Sequence, residues 1–299
     1  MQKNAATSLA KRSVLEKHAV AAVTAENVMT GVPAPKPFGE MSAARLAGIE
    51  FVLTDIDDTL TTEGRLPAQA YHALEQLHEA GITVVPVTGR PAGWCDLIAR
   101  LWPVDAVVGE NGAFYFACSP QGGMTREFAQ SAEERSEGRR RLNVLADVIF
   151  RAVPRARLSA DQTFREADLA IDFAEDGPRL DDAEIAQIVT SFEEAGAVAK
   201  VSSIHVNGWF GQYDKLAMTR SLFTRRYGLD LEKAGDKVIF VGDSPNDAPM
   251  FDFFENSIGV ANFADFQDGT VPPPKWITQK AGGAGFAEVA DAILQARES

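Results

Sequence analysis

Cysteine is nearly absent: Cys95 and Cys118 are the only two in 299 residues. Two thiols cannot build a disulfide framework or a four-thiolate zinc site, which places the chain in a reducing, cytoplasmic setting. Long apolar runs are also missing. No stretch approaches the ~18 residues that would suggest a membrane span. The opening segment, MQKNAATSLAKRSVLEKHAVAAVTAE, holds no compact apolar core followed by a cleavage site, so no secretory signal is read there. Positive charge is scarce too, with 29 lysines and arginines against 42 acids and a net charge of −13. That field repels phosphate backbones and argues against nucleic acid as a partner, although a bound divalent cation can reverse it locally for a small anion. Neither a phosphate-binding loop of the form G-x-x-x-x-G-K-[ST] nor a dinucleotide fingerprint occurs, and the AGGAG run near Gly283 reads as a loop before the last helix.

What is present is a repeating pattern. Residues 1–47 form an arm without recognisable chemistry, a possible helix followed by the loop GVPAPKPFGE. From Gly48, short apolar runs alternate with helical periods: GIEFVLTD, then PAQAYHALEQLHEAG, ITVVPVTG, a helix around GWCDLIARLW, and DAVVGENG. Continuous apolar strands separated by helices predict a parallel sheet covered on both faces. The rhythm breaks after Asn111-Gly112, where a hairpin, a charged helix and further strands and helices form a small α+β unit, and it resumes with VIFVGD, SIGVAN and a closing helix. The expected fold is therefore a doubly wound, Rossmann-like α/β core (48–116 and 212–299) interrupted by an inserted α+β domain (117–211).

Three strand ends carry polar groups: Asp55 and Asp57 after the first, Thr88 and Gly89 after the second, and Asp243, Asn246 and Asp247 after VIFVG. Ligand crevices of open parallel sheets lie beyond the carboxyl ends of the strands, so these groups can converge. Asp55, Asp57 and Asp243 would then repel one another unless a cation lay between them, and an all-oxygen donor set beside a phosphate suits magnesium. Thr88 and the Gly89 N–H could hold phosphoryl oxygens, and Lys215, at a predicted helix start, could balance their charge. One carboxylate could act as nucleophile, and a second, two residues on, as general acid and base.

DIDDTLT, VTGR, the lysine of YDKL and VGDSPNDAPMF resemble, in order, the four motifs of the haloacid dehalogenase superfamily, and the inserted unit resembles its type II cap, in the IIB form of sugar-phosphate phosphatases and phosphomannomutases. The resemblance covers residues 48–299. It implies Asp55 as nucleophile, Asp57 as general acid/base, and Thr88 and Lys215 as phosphoryl ligands with Asn246 also contacting phosphate. Magnesium would be held by the Asp55 side chain, the Asp57 carbonyl and Asp243, while Asp247 would orient the lysine or a metal-bound water. Asp58 departs from the pattern, standing where cap-II members usually carry glycine. In the inserted unit, Arg165, His205 and Asn207 are candidates for substrate specificity; His205 and Asn207 alternate along one strand face. Cys95 reads as a small core residue, and Arg139, Arg140 and Arg141 as a solvated helix face. The expected activity is a magnesium-dependent phosphatase acting on a small phosphorylated metabolite, such as a sugar phosphate. A phosphomutase using the same nucleophile and a non-catalytic phospho-signalling or sensor protein stay open as alternatives.

Overall fold

In a computed structural model of the chain, residues 34–119, 122–202, 204–266 and 272–298 are described. The first 33 residues, and with them the possible N-terminal helix, lie outside the described residues. The chain divides into two compact units: the smaller is Gln130–Gln212, and the larger runs through Ala129 and resumes at Tyr213.

The larger unit contains β1 (Lys36–Pro37), α1 (Ala43–Ala47), β2 (Phe51–Thr54), α2 (Ala68–Glu79), β3 (Thr83–Pro86), α3 (Ala92–Leu101), β4 (Val107–Gly109), β5 (Phe114–Cys118) and β6 (Met124–Phe128). In the smaller unit follow α4 (Ala132–Ala152), β7 (Arg157–Leu158), β8 (Leu169–Asp172), α5 (Asp182–Glu194), β9 (Val198–Val201) and β10 (His205–Trp209). The larger unit then continues with α6 (Lys215–Leu222), β11 (Val238–Gly242), α7 (Ala248–Phe253), β12 (Ser257–Gly259), β13 (Trp276–Ile277) and α8 (Gly282–Glu298).

Its main sheet has the order β1-β13-β12-β11-β2-β3, and every pairing in it is parallel. Strands β2 and β11 are buried at every position, which is why they read as unbroken apolar runs rather than alternating ones. Phe51, Leu53, Val238 and Phe240 join Met218, Leu222, Phe223 and Phe251 in one apolar cluster. This is the doubly wound α/β core with an inserted α+β unit that the pattern predicts.

Two boundaries differ from the sequence reading. The arm placed apart up to residue 47 contributes β1 to the sheet edge, paired to β13. The hairpin β5–β6, expected from residue 117 to open the insertion, pairs antiparallel with β4 and belongs to the larger unit. Strand-to-strand hydrogen bonding decides that membership, and hydrophobic rhythm alone does not report it.

The smaller unit is an antiparallel sheet, β7-β8-β10-β9. Leu169, Ile171 and Val206 pack against Leu142, Leu145 and Ile149 of α4 and Ile185, Ile188 and Phe192 of α5. Both helices start with a capping box, Ser131 with Glu134 and Asp181 with Glu184, so the N–H groups of those four residues are paired locally.

Candidate active site

Three adjacent strands, β11, β2 and β3, end together because their pairing is parallel and in register. The chain leaving β2 therefore carries Asp55 beside Asp243 at the end of β11, although 188 positions separate them. Asp55 is 4% exposed, Asp243 3% and Asp247 0%. One carboxylate oxygen from each of the three lies within 4.8 Å of the others.

The Lys215 ammonium faces this cluster. Lys215, the first residue of α6, donates from Nζ to Asp55 Oδ1 at 2.9 Å and to Asp247 Oδ1 at 2.8 Å. The other Asp247 oxygen accepts the Asp243 N–H at 3.2 Å. Asp247 also needs the glycine at 242: a Cβ there would stand 2.5 Å from its Oδ2. Thr59 Oγ1 donates to Asp243 Oδ1 at 3.2 Å, tying the turn after β2 to the end of β11.

These carboxylates are not at ease. Burial, opposed by Lys215 and reinforced by the negative charges of Asp247 and Asp57, raises Asp55 from 3.8 to about 7. Burial and the charges of Asp55 and Asp247 push Asp243 well above the carboxylate range. For Lys215, burial favours the neutral amine, but Asp247 and Asp55 outweigh it and hold the ammonium above its ordinary range. Three buried acids against one base leave a deficit of positive charge, and the donors are all hard oxygens. A divalent cation such as magnesium fits that donor set.

Asp57, grouped with Asp55 and Asp243 in the sequence reading, is not among the three clustered carboxylates. Its carboxylate, 29% exposed, is gripped by Arg90 through Nε at 3.0 and 2.9 Å and through a terminal nitrogen at 2.7 Å. Thr88 is fully buried, and its Oγ1 accepts the Arg90 N–H at 3.0 Å. Gly89 packs against the Asn111 side chain: a Cβ there would stand 3.2 Å from Asn111 Oδ1. Asn246 Oδ1 accepts from Ser244 Oγ at 2.7 Å, so its side chain is held within its own turn.

Asp58 has φ +56°, a left-handed conformation that aspartate tolerates better than most residues. This is the backbone reason that glycine suits the position in the motif it resembles. Its N–H donates to Thr61 Oγ1, and its carbonyl accepts from Asn262.

Sequence reasoning named Arg90 only as the last letter of VTGR, and it read Asn111-Gly112 only as the point where the rhythm breaks, without giving the turn Glu110-Asn111-Gly112 a role at the site. All three residues of that turn have positive φ (43°, 55° and 102°). The turn fastens the site from behind. Glu110 N–H donates to the Arg90 carbonyl, Asn111 N–H to the Thr88 carbonyl, and a Cβ on Gly112 would stand 2.0 Å from the Asp214 carbonyl oxygen. Glu110, completely buried, accepts the first N–H of α3 at 2.9 Å through Oε1. Backbone strain of this kind persists where the surroundings over-determine it.

The residues singled out in the smaller unit find acidic partners within it. The Arg165 side chain, 1% exposed, lies between two carboxylates, reaching Asp161 at 2.9 and 3.0 Å and Asp168 at 3.0 Å. Asn207 Nδ2 donates to Asp168 Oδ2 at 2.9 Å, and His205 Nε2 lies 2.8 Å from Glu175 Oε2. Of the arginines read as a solvated face, Arg139 donates to the Arg165 carbonyl, Arg140 pairs with Glu137, and Arg141 lies over the Phe210 ring. Cys95 is fully buried in the core.

A doubly wound parallel sheet that gathers buried acids and a lysine at its carboxyl rim, with a folded unit inserted in the chain, defines an α/β protein whose clustered acids could hold a metal ion. Residues 52–125 match the family model of the haloacid dehalogenase-like hydrolases. No curated protein matches the chain. Solved structures share its fold. A Thermoplasma acidophilum protein superposes with a TM-score of 0.63 at 18% identity, over 82% of this chain and 98% of its own. A Plasmodium vivax protein described as a putative HAD/COF-like hydrolase gives 0.61 at 17% identity, over 85% and 98%. The sucrose-phosphatase of Synechocystis, solved with sucrose and phosphate, gives 0.58 at 17% identity, over 81% and 97%.

Proposed function

We propose that the chain is a magnesium-dependent phosphatase that hydrolyses a small phosphomonoester, a sugar phosphate, through an aspartyl-phosphate on Asp55. The observation that carries this reading is the Asp55 carboxylate: buried at the end of a central strand, 2.9 Å from Lys215 Nζ, and within 4.8 Å of two further acids. Nothing in a structural ion pair calls for two additional buried carboxylates, whereas a site for a cation and a phosphoryl group calls for both.

An Asp55 oxygen attacks phosphorus, and the bond from phosphorus to the ester oxygen breaks. Asp57, two residues on, gives its proton to the departing oxygen. It then takes a proton from the water that attacks phosphorus, which releases inorganic phosphate and restores the Asp55 carboxylate. Lys215 stabilises the charge on the transferring group, and the Thr88 hydroxyl and Gly89 N–H hold its oxygens. Magnesium, for which Asp55, Asp243 and the Asp57 carbonyl are the ligands this reading assigns, would supply neutralisation of the phosphoryl charge. Asn246 contacts the phosphate, and Asp247 keeps the lysine aimed.

The sucrose-phosphatase neighbour supports a sugar phosphate as the substrate class. The candidate arginine of the smaller unit supports simple hydrolysis over a mutase: Arg165 is bound on both sides by Asp161 and Asp168 rather than presenting a site for a second phosphate. Phosphate release from a panel of sugar phosphates, with and without magnesium, tests the proposal. Asp55→Asn should lower kcat/KM by on the order of 10⁴-fold or more while the protein stays folded. Undiminished release by that variant would remove Asp55 as nucleophile.

A further inference from the structure

Asp57 follows a strand end, and nothing in its own turn fixes its side chain. A carboxylate that must meet a leaving-group oxygen at hydrogen-bond distance needs an external hold, because a displacement of about 1 Å at a reacting centre can cost on the order of 10²-fold in rate. That hold is Arg90. Its guanidinium presents Nε to both carboxylate oxygens, at 3.0 and 2.9 Å, and a terminal nitrogen to Oδ1 at 2.7 Å. A planar fork meeting a carboxylate in this way fixes its direction as well as its distance.

The arginine is itself immobilised. Its guanidinium lies 4.4 Å from the centre of the Trp94 ring, and its side chain is 10% exposed. Its N–H is bound to Thr88 Oγ1, and its carbonyl accepts from Glu110 N–H at 3.1 Å and from the Cys95 thiol. Thr88, the predicted phosphoryl ligand, and Asp57 are thus referred to one rigid residue. The indole of Trp94, 42% exposed, forms the outer wall of that assembly.

We infer that Arg90, backed by Trp94, is a positioning residue that aims the Asp57 carboxylate at the leaving-group oxygen. This inference rests on the phosphatase reading and adds a role that the motif's aspartates, threonine and lysine do not cover. Arg90 acts through Asp57 and not on the substrate, since its fork is turned to that carboxylate. Lysine cannot replace it, because an ammonium offers neither a planar fork nor the same stacking on an indole.

The test compares two leaving groups in the magnesium-loaded, full-length protein. A sugar phosphate expels an alkoxide and needs a proton from Asp57; p-nitrophenyl phosphate expels a stable phenolate and needs little help. In Arg90→Lys and Arg90→Ala, kcat/KM for the sugar phosphate should fall on the order of 10–100-fold, part of the 10²–10⁴ that general acid–base catalysis contributes. For p-nitrophenyl phosphate it should fall less than about 3-fold, because little of that contribution is used. The inhibition constant for inorganic phosphate should stay within about 2-fold in both variants, since no substrate contact is removed. Trp94→Ala should show the same bias in weaker form and Trp94→Phe, which keeps a ring under the guanidinium, should restore it; these variants also serve if Arg90→Ala fails to fold. Equal losses for both leaving groups, or weakened inhibition by phosphate, would overturn the inference. Asp55→Asn separates the two levels. If it stays active, the phosphatase reading fails; if it is dead while the arginine variants show no leaving-group bias, only the role of Arg90 fails.

Discussion

The two units of this chain each bury a knot of carboxylates and a cationic side chain, and the two knots are built on opposite principles. In the smaller unit Arg165 lies between Asp161 and Asp168, with further donors from Ser159 and Asn207. Burial raises the Asp161 carboxyl, yet the Arg165 charge and its hydrogen bonds, with Ser159, more than offset this and hold it below its ordinary range. In the larger unit Asp55, Asp243 and Asp247 share one lysine, and two of the three carboxyls are driven upward. One knot is closed. The other is short of positive charge in a way the fold alone does not repair. The smaller knot is a hydrogen-bonded network of two acids on one arginine, whereas the larger sets three acids against one lysine and could hold a metal ion.

Breaking the closed knot should have the largest effect on stability. Arg165→Met leaves two buried carboxylates facing each other and should cost about 3–5 kcal/mol, the usual penalty for removing one partner of a buried pair. Chemical denaturation of the soluble variant checks this. The open knot should respond with the opposite sign. Asp243→Asn removes one of the crowded charges and should stabilise the metal-free protein by roughly 1–3 kcal/mol, the scale of a relieved buried polar group, while abolishing turnover. A thermal melt and a phosphate-release assay on the same sample measure both. Destabilisation of that variant beyond the wild type would mean the carboxylates are mutually satisfied after all.

A smaller effect is expected from pH. A carboxyl raised from 3.8 to about 7 binds more protons in the folded state than in the unfolded one across that interval. Its stabilisation is present at the acid end of the window and is lost as pH rises through 7. The metal-free protein should therefore lose roughly 1 kcal/mol or more between pH 5 and 8, on the scale of ~1.4 kcal/mol per pKa unit. Saturating magnesium should flatten or reverse the slope, because the cation competes with the protons. Melting curves at four or five pH values, with magnesium and with chelator, give the answer.

Much of this organisation was legible in the chain. The apolar runs ending at Asp55, Thr88 and Asp243 read as buried parallel strands because both faces are covered, and parallel pairing in register is what brings their ends together. The shared face of His205 and Asn207 followed from strand alternation. Alternation gives a face but not a partner, however. Asn207 meets Asp168, 39 positions away, and Arg165 meets acids three and four positions from it through a short turn whose geometry no periodicity announces. Arg90 was hidden for a similar reason. It stands two residues after Thr88, which marks it as part of the strand end, but its target in the turn after β2 is set by sheet pairing. The membership of β5–β6 was decided by hydrogen bonds to β4 that carry no local signal.

A divalent cation should complete the larger unit's knot of acids. Titration calorimetry with magnesium at pH 7.5 tests it most directly, on the wild type beside Asp243→Asn. One ion should bind the wild type, with protons released on binding, and none should bind the variant. Equal binding by both proteins, or none by either, would contradict it.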